Sequence, residues 1–169
     1  MKLKKVTKDY EMLCFIVNEG IPNQEYIPAN VLKRDMSVKN AAMVFYLIYD
    51  REDDRCKCAG KAIIRKCDLS ASLRAEITPA MKFAGVLSPA SYEYNLSLVD
   101  SALSHTVKSI FCAKITHTIM NEYGSHLYLF INGDDAIRKV AAEVGYRPVD
   151  ENRVMFEQDD LLALKAVSY

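Results

Sequence analysis

The sequence predicts an α/β domain with a mixed central sheet and helices on both faces of that sheet. Residues Tyr92–Asp100 alternate between apolar and polar side chains, which is typical of a strand with one buried face. The segment Thr106–Tyr123 has apolar residues at helical spacing and predicts a helix that faces the core. The run His126–Asn132 is almost continuously apolar, which indicates a strand covered on both sides and therefore helices on each face.

Length and charge narrow the class of protein further. The 169 residues suit one domain with a sizeable core, so we expect residues 1–169 to form a single domain. Lys and Arg together number 22, as do Asp and Glu, so the net charge is zero and indicates no nucleic-acid partner. The longest apolar stretch, Ala41–Tyr49, is too short to span a membrane. With no recognisable signal peptide, we expect a cytoplasmic protein, or one carried inside a particle, with no membrane partner.

Five cysteines argue against a disulfide framework, because an odd number cannot all be paired. Cys56, Cys58 and Cys67 are close enough in sequence to suggest a metal site. However, Cys-x-Cys places both thiols on one face of a strand, no histidine lies nearby, and structural zinc usually has paired short ligand spacings that supply four ligands. We therefore expect buried or edge thiols and no metal.

The N-terminal third predicts a strand and two helices. Lys2–Val6 alternates weakly and predicts a short opening strand. A helix capped by Thr7 and ended by Gly20 should follow, with apolar side chains at helical spacing at Tyr10, Leu13, Cys14 and Val17. The mixed segment 23–40 allows either a short helix or an irregular arm in its second half.

A hairpin and a strand are predicted next. Ala41–Tyr49 and Arg55–Lys66 should pair across a charged turn, with a bulge at Gly60. Residues 67–90 are hard to interpret, and a helix over 70–84 is one interpretation. The following strand should separate its side chains into two faces, with Tyr92, Tyr94, Leu96 and Leu98 on one and Glu93, Asn95, Ser97 and Val99 on the other.

The central unit runs from Ser104 to Val149. Ser104 or Thr106 can cap the first helix, and Gly124 ends it. Its core-facing stripe is Val107, Ile110, Phe111, Ile115 and Ile119. Asp134 and Asp135 begin a second helix that Gly145 stops, and Arg153–Glu157 is a further strand candidate. The tail after Asp160 should form a short helix or a last strand.

This order of elements resembles the GNAT superfamily of acyltransferases. In that family a central strand leads through a phosphate-binding turn into a long helix, followed by a buried strand and a helix that ends in Gly-Phe or Gly-Tyr. Here the matching pair is Gly145-Tyr146. The resemblance implies a GNAT-like fold and transfer of an acetyl or acyl group from CoA to an amine. The sequence is also similar to acyltransferase-like internal proteins of short-tailed phages.

The resemblance implies that acetyl-CoA or another acyl-CoA binds where the long helix begins. A pyrophosphate needs backbone N–H groups at a helix N-terminus, and the family's turn carries glycines that let the backbone approach it. The matching stretch 101–106 contains no glycine. We expect cofactor contacts from Ser104, His105, Thr106, Val107 and Lys108, while a plain capped helix start explains the same residues equally well.

Catalytic residues are harder to assign. Many members of the family carry a tyrosine four residues before the glycine, as the acid that protonates the departing thiolate, and that position is Ala141 here. Tyr146 is the candidate for this role, although it also matches the aromatic residue that packs in the family. Glu93 is the candidate base, with Asp100 as an alternative, because acyl transfer requires a deprotonated amine. Solvated carboxylates at strand ends are the structural alternative.

Two hypotheses follow from these residues. The first is a CoA-dependent N-acyltransferase whose acceptor is a small-molecule or protein amine. The second is a catalytically inactive module with the same fold that binds another protein, such as a phage effector or virion component. The absent glycines and Ala141 favour the second hypothesis, and the order of elements favours the first.

Overall fold

The computed structural model describes residues 10–16, 27–49, 58–67, 91–99, 101, 103–122, 126–157, 160, 161 and 164. The strands are β1 (Tyr10–Ile16), β2 (Ala41–Tyr49), β3 (Cys58–Lys66), β4 (Ser91–Leu98), β5 (His126–Phe130), β6 (Arg147–Pro148) and β7 (Arg153–Glu157). The helices are α1 (Ala29–Met36), α2 (His105–Glu122) and α3 (Asp135–Val144). None of these described helices has the length and apolar character needed to cross a membrane.

The described strands form one mixed sheet in the order β1-β2-β3-β4-β5-β7-β6. Strands β1 to β4 follow one another in both the chain and the sheet, and each pairs antiparallel with the next. It then crosses over through α2, so that β5 lies parallel to β4. Strand β7 pairs antiparallel with both β5 and β6. A parallel neighbour requires such a crossover connection, which explains why the long helix sits between β4 and β5 in the chain.

Helices cover both faces of the sheet, as the sequence predicted. The core face carries Tyr92, Tyr94 and Leu96 of β4, and these side chains pack with α2, α3 and the main core. The α1 face carries Val44, Tyr46 and Ile48 of β2, which pack against Ile27 and Leu32 beside and within α1. Alternate residues of β2 thus pack into two separate apolar clusters, one on each face of the sheet. Because both faces are buried, the sequence of β2 is continuously hydrophobic.

A buried ion pair holds α1 on the sheet. Asp35 is only 3% exposed, accepts a hydrogen bond of 2.6 Å from the Tyr46 hydroxyl, and lies 2.9 Å from the Lys61 ammonium. Burial alone would raise the pKa of the Asp35 carboxyl, but the hydrogen bonds from Tyr46 and Lys61 and the positive charges of Lys61 and Arg34 together hold it below its ordinary value. The carboxylate is therefore charged and doubly hydrogen-bonded.

The structure contradicts one predicted element. Residues Tyr10–Ile16 form strand β1 rather than a helix. All seven residues pair with β2, from Tyr10 opposite Tyr49 to Ile16 opposite Met43. The helical spacing of apolar residues was misleading because a neighbouring strand supplies seven consecutive cross-strand partners, which outweighs a weak local periodicity. The predictions for Lys2–Val6, for the helix over 70–84, and for Thr7 and Gly20 as helix ends fall on residues outside the described ranges.

Most of the remaining elements are confirmed. The β2–β3 hairpin forms, and its register shifts where Leu47 pairs with Gly60 and Ile48 with Cys58, which leaves one extra residue beside Gly60 as a bulge. The segment after Pro28 forms α1, and β4, α2, β5 and β7 lie within a few residues of their predicted bounds. The alternation of β4 is also confirmed, because its even-numbered residues from Tyr92 to Leu96 are buried.

Helix α3 begins and ends at the predicted residues. The Asp134 carboxylate accepts hydrogen bonds from the backbone N–H of Ala136 and Ile137, so it is the N-cap. Gly145 has φ of +115° and donates its N–H to the carbonyl of Ala141. A Cβ at this position would lie 3.2 Å from Cε2 of Phe156, so both backbone conformation and space require glycine.

Alanine at Gly145 should therefore be more damaging than alanine at Gly133, which matches it in having a positive φ (+76°) but has open space around it. We expect Gly133→Ala to lower the free energy of unfolding by about 1 kcal/mol, the ordinary cost of a left-handed L-residue. Gly145→Ala should cost about 2–3 kcal/mol, because strain and crowding add. Urea denaturation of the two variants measures the difference. Equal losses would show that the contact with Phe156 relaxes freely.

The Asp35 ion pair predicts an acid-dependent component of stability. Because the folded-state pKa lies below the ordinary 3.8, the carboxylate stabilises the fold at neutral pH, and this contribution is lost as pH falls below 3.8. Asp35→Asn should cost about 1–3 kcal/mol at neutral pH. The gap in unfolding free energy between wild type and variant should narrow in acid, whereas the exposed-carboxylate control Glu151→Gln should show no such gap. A pH-independent gap would contradict the assigned pKa direction.

Candidate functional site

Strand β4 extends beyond the end of its pairing with β5, and we refer to the region beside this unpaired part of β4 as the crevice. The parallel pairing runs from Ser91↔His126 to Asn95↔Phe130 and then ends, although β4 continues to Leu98. On its other side β4 stays paired with β3 as far as Leu98↔Gly60. The β5-facing backbone edge after Asn95 thus has no strand partner among the described residues. Ligands of α/β sheets bind in such crevices at the carboxyl ends of parallel strands.

Helix α2 starts at the same end of the sheet. Ser104 is its N-cap, because its hydroxyl accepts the backbone N–H of Val107 at 3.2 Å and its carbonyl accepts that of Lys108 at 3.1 Å. The N–H groups of His105 and Thr106 make no hydrogen bond to another described residue, as expected in the first turn of a helix. These two donors without a described partner lie at the N-terminus of α2, where the helix dipole is positive.

The five predicted cofactor contacts differ in their availability. Ser104, His105 and Thr106 are exposed and Lys108 is half-buried. The Val107 side chain is 2% exposed and packs in the core, and its N–H is taken by the cap. Within this group the backbone N–H groups of Val107 and Lys108 are engaged by Ser104, whereas those of Ser104, His105 and Thr106 have no partner among the described residues. The assignment of cofactor contacts to all five residues stays a prediction.

The His105 side chain is held by α3. Its Nε2 lies 2.8 Å from Oε2 of Glu143, and the Ser109 hydroxyl donates to the same oxygen at 3.0 Å. Hydrogen bonds from His105 and Ser109 lower the pKa of the Glu143 carboxyl, so Glu143 carries a negative charge at neutral pH. This cluster links the first two turns of α2 to the last turn of α3. A phosphate at the α2 N-terminus would have that carboxylate as a neighbour.

Glu93 lies on the α1 face of the sheet, two residues before the pairing of β4 and β5 ends. Its carboxylate forms an ion pair of 3.3 Å with Arg65 of β3. Both side chains are about one-quarter to one-third exposed, so the pair borders solvent. Burial, followed by the nearby Glu93 carboxylate, raises the pKa of the Cys67 thiol to about 12. Glu93 is therefore surrounded by a cation and a neutral thiol. The alternative base Asp100 lies outside the described residues.

Tyr146 lies in the core. Its side chain is 5% exposed, and its hydroxyl is 2.8 Å from the Tyr94 hydroxyl and 2.7 Å from Oγ1 of Thr116. The ring also packs against Phe156, with 5.4 Å between the ring centroids. Ala141, where the family's acid would lie, is fully buried one turn earlier in the chain.

The two predicted catalytic residues lie on opposite faces of the sheet. Tyr94 contacts Tyr146 on the core face, and Glu93, next to Tyr94 in β4, necessarily points the other way. Within the paired part of the sheet, no single reacting centre reaches both groups. Sequence reasoning overlooked Arg65, Glu143 and Thr116, since none belongs to a local motif and each acts through a partner that is distant in the chain.

The cysteine cluster suggested by the sequence is only partly described. Cys58 donates its thiol hydrogen to the carbonyl of Gly60 at 3.2 Å, and Cys67 lies beside Glu93. Both are free thiols. Across the described ranges, no three His, Cys, Asp or Glu side chains converge as metal ligands.

Comparison with known proteins identifies the fold. No protein-family model and no curated protein matches this sequence. Solved structures do match: a tyrosine-to-phenylalanine mutant of KacT is 12% identical with a TM-score of 0.56, over 90% of this chain and 98% of KacT. An AtaT mutant toxin bound to the C-terminus of the antitoxin AtaR and acetyl-CoA is 12% identical with a TM-score of 0.58, over 92% of this chain and 99% of AtaT.

A third match is AtaT complexed with acetyl-methionyl-tRNAfMet, which is 13% identical with a TM-score of 0.54 and again covers 92% of this chain and 99% of the other. KacT and AtaT have the GNAT fold. At these identities the likeness concerns the arrangement of the chain alone. The protein therefore has a divergent GNAT-like fold, in agreement with the order of elements in its sequence.

Proposed function

We propose that this chain binds acetyl-CoA or another acyl-CoA in the crevice between β4 and β5 and transfers the acyl group to an amine. The observation that carries the proposal is the end of the β4–β5 pairing at Asn95 and Phe130, shortly before the α2 N-terminus, where two N–H groups have no partner among the described residues. AtaT, which shares the fold, is known in a structure with acetyl-CoA. An unpaired strand edge supplies N–H and C=O groups that suit the amides of a pantetheine chain.

The residues at the crevice fit such a ligand in part. The N–H groups of His105 and Thr106 suit a pyrophosphate, and Lys108 adds a positive charge in the same turn. The missing glycines and the Glu143 carboxylate beside His105 oppose close approach of an anion. We therefore expect weaker cofactor affinity than a glycine-rich turn would give.

Acyl transfer joins the acceptor nitrogen to the thioester carbonyl carbon, breaks the carbon–sulfur bond and releases one proton from the amine. The chain's contribution is to orient the acyl group, to stabilise the carbonyl oxygen with N–H groups at the free edge of β4, and to accept the proton. Glu93 lies about 7 Å along β4 from Asn95, at two residues' rise. This separation suits proton transfer through one water rather than direct contact.

The absence of a tyrosine acid at position 141 does not prevent the proposed acyl transfer. Ala141 has no hydroxyl, and the Tyr146 proton is engaged in the core. A thiol with an ordinary pKa near 8.5 leaves as a thiolate at a tolerable cost near neutral pH. General acid catalysis typically contributes about 10²–10⁴-fold, so we expect a turnover that is slower by a comparable factor than in an enzyme with that acid.

The acceptor class needs a direct comparison. AtaT is known in complex with acetyl-methionyl-tRNAfMet, so charged tRNA should be tested beside small amines and peptides. The zero net charge of this chain gives no general attraction to nucleic acid, but a local surface can still bind it.

A second candidate function is a protein-binding module without catalysis. It is favoured by Ala141 and by the glycine-free turn, and AtaT is known bound to the C-terminus of its antitoxin AtaR. Transfer of radiolabelled acetyl groups to any of the three acceptor classes would exclude this candidate.

Substitution of Ser104 separates capping from cofactor binding. Ser104→Asp keeps a good N-cap but places a negative charge beside the proposed phosphate site, whereas Ser104→Ala removes the cap without adding charge. We expect Ser104→Asp to keep the wild-type melting temperature within a few degrees and to weaken acetyl-CoA binding about tenfold or more. Ser104→Ala should lose about 1 kcal/mol of stability and keep most of the affinity.

Isothermal titration calorimetry with acetyl-CoA, together with thermal melts, measures both effects. Wild type that shows neither heat nor a thermal shift at millimolar acetyl-CoA would refute the proposed function, because a bound ligand must raise stability. Equal affinity in wild type and Ser104→Asp would place the ligand elsewhere.

Replacement of Glu93 tests the proposed base. Glu93→Gln should lower the turnover number about 100-fold with little change in the Michaelis constant for acetyl-CoA, because only proton transfer is removed. Glu157→Gln, a half-buried carboxylate on the same face in β7, should have no such effect. Steady-state kinetics over a range of pH provide the measurement. A loss in Asp100→Asn instead of Glu93→Gln would transfer the role to Asp100.

A further inference from the structure

The side chains of Tyr94, Thr116 and Tyr146, with the thiol and the backbone carbonyl of Cys112, form a ring of hydrogen bonds that closes through the Cys112 backbone inside the apolar core. The Thr116 hydroxyl donates to the carbonyl of Cys112 at 2.7 Å, and this uses its single proton. The contact of 2.7 Å between Thr116 and Tyr146 must therefore be donated by Tyr146. By the same count Tyr94 donates to Tyr146 at 2.8 Å, and the Cys112 thiol faces the Tyr94 oxygen at 3.5 Å. Every hydroxyl proton has one defined acceptor.

The ring is sealed from solvent and electrically neutral. Tyr94, Cys112 and Thr116 are 0% exposed and Tyr146 is 5% exposed. Burial raises the pKa of both phenols well above their usual range, and it raises the pKa of the Cys112 thiol to about 11. The four groups therefore keep their protons throughout the physiological pH range, and the ring does not change with pH.

The ring connects three segments that meet behind the crevice. Tyr94 immediately precedes Asn95, the last residue of β4 that is paired with β5. Cys112 and Thr116 belong to α2, in whose first turn the N–H groups of His105 and Thr106 have no partner within the described part of the chain. Tyr146 follows the left-handed Gly145 that ends α3. Apolar packing alone permits small sliding of a helix on a sheet, whereas directional hydrogen bonds fix one arrangement.

We propose that this ring is a positioning device for the acyl-CoA site, which sets the placement of the α2 N-terminus relative to the free edge of β4. The inference rests on the proposed function, because it assigns Tyr94, Thr116 and Tyr146 a role in holding the two walls of the same crevice. All three are positioning residues that touch no substrate. Tyr146 thereby acts on cofactor binding and not as an acid at the thioester.

Two substitutions of Thr116 separate the ring from ordinary packing. Thr116→Val keeps the shape of the side chain and removes the hydroxyl, so Tyr146 loses its acceptor. Thr116→Ser keeps the hydroxyl and removes a methyl group from a fully buried site. Both variants should be less stable than wild type, but only Thr116→Val opens the ring. Tyr146→Phe opens the ring from the opposite partner.

The primary measurement is acetyl-CoA affinity by calorimetry, at a temperature where near-UV circular dichroism shows each variant to be folded. We expect Thr116→Val and Tyr146→Phe each to weaken binding about tenfold, and Thr116→Ser to bind within about twofold of wild type. The double variant Thr116→Val with Tyr146→Phe should lose less than the product of the single losses, because both substitutions break one ring.

Amide hydrogen exchange gives a second readout that needs no cofactor. The N–H groups of Leu96, Leu98 and the first turn of α2 should exchange faster in Thr116→Val than in Thr116→Ser at matched global stability. Equal exchange or equal affinity in the two variants would overturn the positioning role. Failure of wild type to bind acetyl-CoA would instead overturn the proposed function, and the site-specific role of the ring with it, whatever the exchange rates.

Discussion

The hydrogen bonding of β4 organises this molecule, because the strand pairs with β3 from Tyr92 to as far as Leu98 but with β5 only as far as Asn95. Unpaired backbone groups inside a sheet are costly unless water or a ligand satisfies them. Beyond Asn95 no described strand supplies those partners on the β5 side of β4. Helix α2 follows β4 in the chain, and the first N–H groups of a helix also lack partners within it. Backbone groups without a partner among the described residues therefore occur both at the end of β4 and at the start of α2.

Successive side chains of β4 point to opposite faces of the sheet, so its buried hydroxyl and its charged carboxylate lie on different sides. Tyr94 belongs to the core face, where it is enclosed with the α2 helix, and Glu93 belongs to the α1 face, where Arg65 balances its charge. The core face can provide rigidity, and the titratable groups described around Tyr94 there, Cys112 and Tyr146, are buried. The α1 face carries the charged and half-exposed groups. The two-residue period of the strand therefore places the buried hydroxyls on one side of the sheet and the charged side chains on the other, and the proposed function gives positioning to the first side and proton transfer to the second.

The sequence predicted those features that have local causes. The bounds of the central unit were predicted to within a few residues. The signals were the helix ends at Ser104, Asp134 and Gly145 and the apolar run of β5. Strand β1 was mistaken for a helix because its identity depends on pairing with β2, about thirty residues away. The contact between Tyr94 and Tyr146 joins residues 52 positions apart, and neither position carries a local pattern that marks the other. Alternation along β4 predicted the face on which Tyr94 lies, and the family resemblance predicted that Tyr146 packs, but neither predicted that the two hydroxyls meet.

The pair Gly145-Tyr146 illustrates how a sequence signature can report structure rather than chemistry. Gly145 is required by a φ of +115° and by the proximity of Phe156, and the turn it makes directs Tyr146 into the core. The Tyr146 hydroxyl then needs buried partners, because an unsatisfied polar group there would be costly. Tyr94 and Thr116 supply them. Each step follows from packing and hydrogen bonding without reference to catalysis, so Gly-Tyr at this position indicates the fold and not an activity.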